Sequence, residues 1–340
     1  MHLEHSLISQ IVPPLDESAI AAARERQRTL SKPPGSLGRL EELSIQLAGI
    51  FRNPSPTIGE KVILTMAGDH GVVAECVSAF PQEITAQMVG NFLNGGAAIN
   101  VLARHAGARV VVVDMGVAHE LTPHPGLIDK KIARGTQNLS RGPAMTRRQA
   151  VDALMAGADV AEGELARGLD ILAVGEMGIG NTTPSTAIAS ALIGRTPEEI
   201  AGRGTGLGDE GLGRKIDAVT RGLETNQPDP GDAVDVLSKV GGFEIGGMAG
   251  AMLAVAARSR PVMVDGFIAT AAAMIAVALA PTIQPYLIAG HLSNERGHRV
   301  MLDWLGLDPL LDLGMRLGEG TGAALGLSIA EAACKTLNEM

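Results

Sequence analysis

The segment Gly175-Glu176-Met177-Gly178-Ile179-Gly180-Asn181-Thr182-Thr183 places a carboxylate, three glycines and two hydroxyls just ahead of an Ala/Ser/Ile-rich helical run. Small residues at such a point can turn backbone N–H groups toward an anion, and the helix dipole adds to the attraction. The same spacing also fits a glycine turn in which Asn181 or Thr183 merely caps the helix. A second cluster reads Gly202-Arg203-Gly204-Thr205-Gly206-Leu207-Gly208-Asp209-Glu210-Gly211. Its Gly206, Gly208 and Gly211 match G-x-G-x-x-G by spacing, but no strand precedes them, so a dinucleotide fingerprint is not expected. Lys215 follows, where a flexible cation could reach a phosphate; taken alone it reads as a solvated surface lysine.

Near the end of the chain, Arg316-Leu317-Gly318-Glu319-Gly320-Thr321-Gly322 precedes an Ala/Leu/Ile-rich run. Glu319 lies between glycines, so surrounding elements can press it against a ligand. By itself it reads as an acid stabilising the helix that follows. Asp69, His70, Asp114, Asp265 and His291 match no metal-ligand spacing, so no metal is expected and solvated or capping roles suit them better.

Short aliphatic runs must position these groups. They span Val62 to Met66, Val110 to Val113, Ile171 to Val174, Val262 to Val264 and Leu287 to Ala289, with a weaker candidate from Ile128 to Ile132. Continuous apolar runs separated by helix-length segments predict a mostly parallel sheet covered on both faces, an α/β doubly wound fold. All five main runs end in polar or glycine clusters: Gly68-Asp69-His70-Gly71, Asp114-Met115-Gly116, the Gly175 segment, Asp265-Gly266-Phe267, and Gly290-His291-Leu292-Ser293-Asn294-Glu295. In open sheets of this kind ligands bind beyond the carboxyl ends of the strands, and five such junctions together predict a site there. The first 55 residues read as helical. Asp16 is placed to cap a helix turning Ile20, Ala23 and Leu30 inward, and Leu40, Leu43, Leu47 and Ile50 recur at helical spacing beyond a Lys32-Pro33-Pro34-Gly35-Ser36 turn.

Composition excludes several classes. Aromatics make up only 2% of the chain against 46% hydrophobic residues, so the core rests on aliphatic side chains. The net charge of −9, without a basic patch, argues against nucleic acid. Cys76 and Cys334 form no disulfide framework. Met1 to Leu15 has no signal-peptide pattern, and the apolar stretch from Gly266 to Ala280 is too short for a bilayer and is expected to be a buried helix. A cytoplasmic location away from membranes is the expectation. The 43 glycines, clustered near acidic and hydroxyl residues, point to backbone held close to a ligand.

The ordered set of Lys32-Pro33-Pro34-Gly35-Ser36-Leu37-Gly38-Arg39-Leu40-Glu41, Gly68-Asp69-His70-Gly71, Gly175 to Pro184, Val236-Leu237-Ser238-Lys239-Val240-Gly241-Gly242-Phe243 and Arg316 to Gly320 resembles the nicotinate-nucleotide–dimethylbenzimidazole phosphoribosyltransferases from about residue 12 to the end. The resemblance implies a Rossmann-like domain at 58–298 and a small helical domain formed by 1–57 together with 299–340, in a homodimer needing no metal or other cofactor. It implies transfer of the phosphoribosyl group of nicotinate mononucleotide to 5,6-dimethylbenzimidazole. Glu319 is then the general base and Glu176 a second catalytic candidate. Substrate binding is carried over to Gly178, Gly180, Asn181, Thr182, Lys215, Ser293, Arg316, Gly318 and Gly320, and Phe80 and Met88 are carried over to the base pocket, where some members have Ser and Gln. An N-glycoside hydrolase and a non-catalytic nucleotide-binding sensor are the competing classes.

Overall fold

The computed structural model describes residues 12–340. Asp16 accepts the Ala19 amide at 2.9 Å and so caps α1 (Glu17–Thr29), which buries Ala23 but leaves Ile20 half-buried. After the Pro-Gly turn, α2 (Arg39–Phe51) buries Leu43, Leu47 and Ile50 completely. An ion pair of Lys32 with Glu41 at 2.7 Å closes that turn.

The chain then alternates. β1 (Lys61–Gly68) is followed by α3 (Glu83–Leu93) and α4 (Ala98–Ala106), then β2 (Ala108–Gly116) and β3 (Leu127–Asp129). Next come α5 (Arg147–Ala166), β4 (Ile171–Met177), α6 (Thr182–Ile193), the short α7 (Pro197–Ile200) and α8 (Asp209–Asn226). The series ends with α9 (Ala233–Val240), α10 (Phe243–Ala257), β5 (Val262–Val264), α11 (Phe267–Leu279), β6 (Leu287–Ala289), α12 (His298–Leu305) and α13 (Thr321–Glu339). The six strands lie in the order β3-β2-β1-β4-β5-β6 and every pairing is parallel. This is the doubly wound order, with its switch point between β1 and β4.

Side chains alternate between two cores because successive residues of a strand face opposite ways. Val62, Leu64, Met66, Leu172, Val174, Val262 and Val264 face the core shared with α5, α6, α10 and α11. Ile63, Ile171, Ala173, Met263 and Ile288 face the opposite core, with Leu43 and Leu47 of α2, Ile99 of α4 and Ala323 and Leu327 of α13. The helices of the two chain ends also meet one another: Ala23, Ala48 and Leu337 form a small cluster of their own. Residues 1–11, included in the expected helical domain, lie outside the described residues.

The weak strand expected over Ile128 to Ile132 is shorter than its apolar spacing implies. Lys130 and Ile132 still donate to the Asp114 and Met115 carbonyls, but regular pairing stops at Asp129. The Gly266 to Ala280 stretch forms the buried α11, and among the described residues no helix is long and apolar enough to cross a membrane. Glycine has a second use besides the one expected. A Cβ on Gly157 of α5 would lie 1.8 Å from the Gly247 carbonyl oxygen of α10, and one on Gly250 would lie 1.9 Å from that of Leu154. These glycines permit backbone contact between helices, not approach to a ligand.

Candidate active site

A cleft open to solvent lies beyond the carboxyl ends of β4, β5 and β6. It is lined by Glu176, Gly178, Gly180, Asn181, Thr182, Lys215, Ser293, Arg316 and Gly318, nine of the residues expected from the sequence. Asp265, Gly266, His291, Glu295 and Arg203 line it as well. All five had a signal: four lie in the clusters after β5 and β6, and Arg203 lies inside the second glycine cluster.

The β4–α6 turn is built by close approach. A Cβ on Gly178 would lie 2.4 Å from the Gly68 carbonyl oxygen, so only glycine fits there. Gly180 has φ +86°, the left-handed region that glycine enters without steric cost. The Thr85 hydroxyl of α3 accepts the Ile179 amide at 3.1 Å and fixes the turn from outside. Neither proposed cap is used: Asn181 stands at the N-cap of α6 without a side-chain capping bond and donates its amide to Glu176 instead.

Lys215 is not the solvated lysine its position in sequence describes. It is fully buried, and Nζ donates to the Thr182 hydroxyl and the Gly202 carbonyl, each at 2.9 Å. Burial pushes its pKa down to about 8, against the opposing pull of Glu295. A cation therefore meets the N-terminus of α6 at the cleft wall, and both attract an anion. Arg316 donates to the Gly204 carbonyl at 2.9 Å and joins the C-terminal segment to the second glycine cluster.

Glu176 lies against Gly318, where an added Cβ would meet its Oε1 at 2.3 Å. Burial, reinforced by the charges of Asp265 and Glu244, pushes its pKa up to about 8. At neutral pH Glu176 is therefore predominantly a neutral acid, because burial disfavours its charged form and the neighbouring acids add to that effect.

Gly318, Glu319 and Gly320 have φ of +84°, +65° and +98°, three left-handed residues in succession. A non-glycine residue held there stores on the order of 1 kcal/mol of strain, which the surroundings must hold in place. The Thr65 hydroxyl donates to the Glu319 carbonyl at 3.1 Å, and Asp265 accepts the Gly320 and Ala323 amides at 3.3 and 2.8 Å. Glu319 itself does not stabilise the helix that follows it. Its Oε2 accepts the Ile99 amide at 3.1 Å, at the first turn of α4. Burial, aided by the charge of Asp265, raises its pKa against this hydrogen bond, whereas helix-end electrostatics alone predict a lowered value.

Glu319 and Gly320 stand behind the cleft wall, and neither lines it. Phe80 and Met88 also lie outside its lining: Phe80 is 48% exposed, and Met88 packs against the core cluster that contains Phe92 and Ile99. Val77 and Ser78, just before Phe80, do line the cleft. The solvated role given to Asp69, His70, Asp114, Asp265 and His291 is also corrected, since all five are buried. Asp114 accepts the Gly116 and Val117 amides, Asp69 accepts that of Ala118, and His70 pairs with Glu244 at 2.8 Å. Among the described residues no group of His, Cys, Asp and Glu is arranged to hold a metal ion.

Comparison with known proteins fits this geometry. Residues 12–340 match a family model described as phosphoribosyltransferase. The chain belongs to that family. A protein of Roseiflexus sp. (strain RS-1) named nicotinate-nucleotide–dimethylbenzimidazole phosphoribosyltransferase is 57% identical over 338 residues, covering 98% of this chain and 96% of the relative. One of the same name from Chloroflexus aurantiacus is 56% identical over 340 residues, covering 100% and 97%. Among solved structures, the nicotinate-nucleotide-dimethylbenzimidazole phosphoribosyltransferase of Thermus thermophilus superposes with a TM-score of 0.91 at 47% identity, covering 95% of this chain and 96% of that one. The match thus runs from residue 12 to residue 340, and the cleft of this phosphoribosyltransferase lies at the carboxyl edge of its sheet.

Proposed function

We propose that the chain transfers the 5-phosphoribosyl group of nicotinate mononucleotide to 5,6-dimethylbenzimidazole, giving α-ribazole 5′-phosphate and nicotinate for the lower ligand of cobalamin. The observation that carries this reading is the cleft itself, with Lys215 at the N-terminus of α6 on one side and Glu176 against Gly318 on the other. The first end suits the 5′-phosphate, held around Gly178, Gly180, Asn181 and Thr182. Ser293, Arg316 and Gly318 complete the substrate contacts, with Gly320 behind the wall they form.

The chemistry needs little else. The C1′ of the donor is bonded to a pyridinium nitrogen, so nicotinate leaves with the bonding electron pair and needs no acid. An unprotonated benzimidazole nitrogen forms the new bond to C1′, which makes the opposite N–H acidic. Glu319 takes that proton, and a carboxylate whose pKa is raised is a better base than an ordinary one. Glu176 enters as a neutral acid and serves the ribose as a hydrogen-bonding partner. Alignment of both rings and the phosphate supplies much of the remaining rate.

Phe80 and Met88 are assigned to the acceptor pocket although neither lines the cleft, and two apolar side chains there favour a flat, weakly polar base. Residues 12–57 with 299–340 are assigned to a smaller unit, supported by the meeting of Ala23, Ala48 and Leu337, and α2 and α13 also join it to one face of the 58–298 sheet. The working form is a cytoplasmic homodimer; exposed Leu313 supplies apolar surface for a second copy. The test is incubation with nicotinate mononucleotide and an equimolar mixture of dimethylbenzimidazole, benzimidazole and adenine, with mass analysis of the products. α-Ribazole 5′-phosphate is expected to dominate; a preference for adenine would overturn the assignment of the base pocket, and no nucleotide product would overturn the transferase reading.

A further inference from the structure

Two buried side chains that do not line the cleft connect two of its walls. The Ser293 amide donates to His298 Nδ1 at 2.8 Å, and His298 Nε2 lies 2.8 Å from the Thr270 hydroxyl. That hydroxyl is also 2.8 Å from the Gly266 carbonyl oxygen. Ser293 and Gly266 both line the cleft, on the segments that follow β6 and β5. His298 and Thr270 are completely buried.

The proton positions in this chain of bonds are determined. An amide can only donate, so Nδ1 of His298 carries no hydrogen and Nε2 carries one. The Nε2–H donates to Thr270, whose own hydrogen then points to the Gly266 carbonyl. The backbone amide of His298 donates to the Glu295 carbonyl at 3.0 Å, so this residue holds the Ser293–Glu295 loop at both ends. Glu295 is the carboxylate whose charge opposes the depressed pKa of Lys215. Burial, with the charges of His291 and Arg299 adding to it, pushes His298 down to about 3, so the ring stays neutral at any working pH.

We propose that Thr270 and His298 are positioning residues that hold the Ser293–Glu295 loop in register with the N-terminus of α11, and thereby set the cleft for the phosphoribosyl donor. Neither touches substrate. A purely structural pair would alter stability alone, whereas this clamp acts on donor binding through Ser293 and Glu295. The choice of ligand rests on the transferase reading; the clamp does not.

Thr270→Val keeps the shape of the side chain and leaves the His298 Nε2–H without an acceptor, while Thr270→Ser keeps the hydroxyl. Amide hydrogen exchange across residues 292–298 and steady-state kinetics with nicotinate mononucleotide separate the possibilities, with the melting temperature as a fold control. Thr270→Val is expected to speed exchange in the loop and raise KM for the mononucleotide about tenfold, with kcat and the KM for the base changing much less. Thr270→Ser should restore both. His298→Asn, which offers an acceptor near Nδ1 but no donor to Thr270, should resemble Thr270→Val. Unchanged exchange in Thr270→Val, or equal impairment of the Val and Ser variants, would overturn the clamp. Failure of the unaltered protein to use the mononucleotide would count against the transferase reading alone, because the exchange measurement judges the clamp without a ligand.

Discussion

Lys215 and Glu319 are both removed from water, and each derives its chemical character from that removal. Lys215 gives up hydration for two hydrogen bonds and a neighbouring carboxylate, and in the proposed role a phosphate would restore part of what burial costs the ammonium group. Lys215→Ala is expected to weaken mononucleotide binding by about 1.5–3 kcal/mol, the range for a hydrogen bond to a charged group. Nicotinate riboside, which lacks the phosphate, should lose little, and calorimetric titration of both ligands checks the difference. The pH profile follows from the same groups. In the proposed role Glu319 acts as an ionised base, and its pKa lies above the ordinary 4.5, so kcat/KM should rise with pH through an acid limb shifted upward. It should fall again near pH 8 as free Lys215 loses its proton. Glu176→Gln should retain this alkaline limb if Lys215 is its source, which initial-rate profiles of the variant decide. Glu319→Gln keeps the size of the side chain and removes the charge of the proposed proton acceptor. Turnover with dimethylbenzimidazole should drop by roughly 10²–10⁴, with circular dichroism and mononucleotide binding preserved.

The elements that carry these residues were legible to different degrees. The strands could be read because burial on both faces leaves continuous aliphatic runs, and Val262 to Val264 and Leu287 to Ala289 match to the residue. The cleft edge could be read because polar clusters follow the strands. The direction of individual side chains could not. In sequence Lys215 looks like any lysine near the start of a helix, and its burial depends on Gly202 and Thr182, which tertiary packing brings to it. Glu319 turns toward α4 because three left-handed residues in succession redirect the chain, and spacing does not encode that turn. The contact of α5 with α10 was hidden for a similar reason, since a glycine that admits another helix looks the same in sequence as one that admits a ligand. Gly157→Ala drives a methyl group into the Gly247 carbonyl and should destabilise the fold by about 1–3 kcal/mol, read as a lower melting temperature.

At the scale of the whole molecule, the two cores on opposite faces of the sheet fix the carboxyl ends of β4, β5 and β6 relative to one another, and the cleft inherits that rigidity. α13 belongs to this framework, because Ala323 and Leu327 pack on the sheet while the preceding Glu319 is held against α4. Water and an aromatic nitrogen would compete for the same C1′ in the proposed reaction, and the reading in which Glu319 takes its proton from the bound base requires that base for turnover. The most direct measurement of this claim is the initial rate of nicotinate release from nicotinate mononucleotide as dimethylbenzimidazole is varied, with the ribosyl product quantified in parallel. Release should be negligible without the base, should rise to saturation with it, and should match α-ribazole 5′-phosphate one to one. Release at the same rate without the base, with ribose 5-phosphate accumulating, would contradict the account.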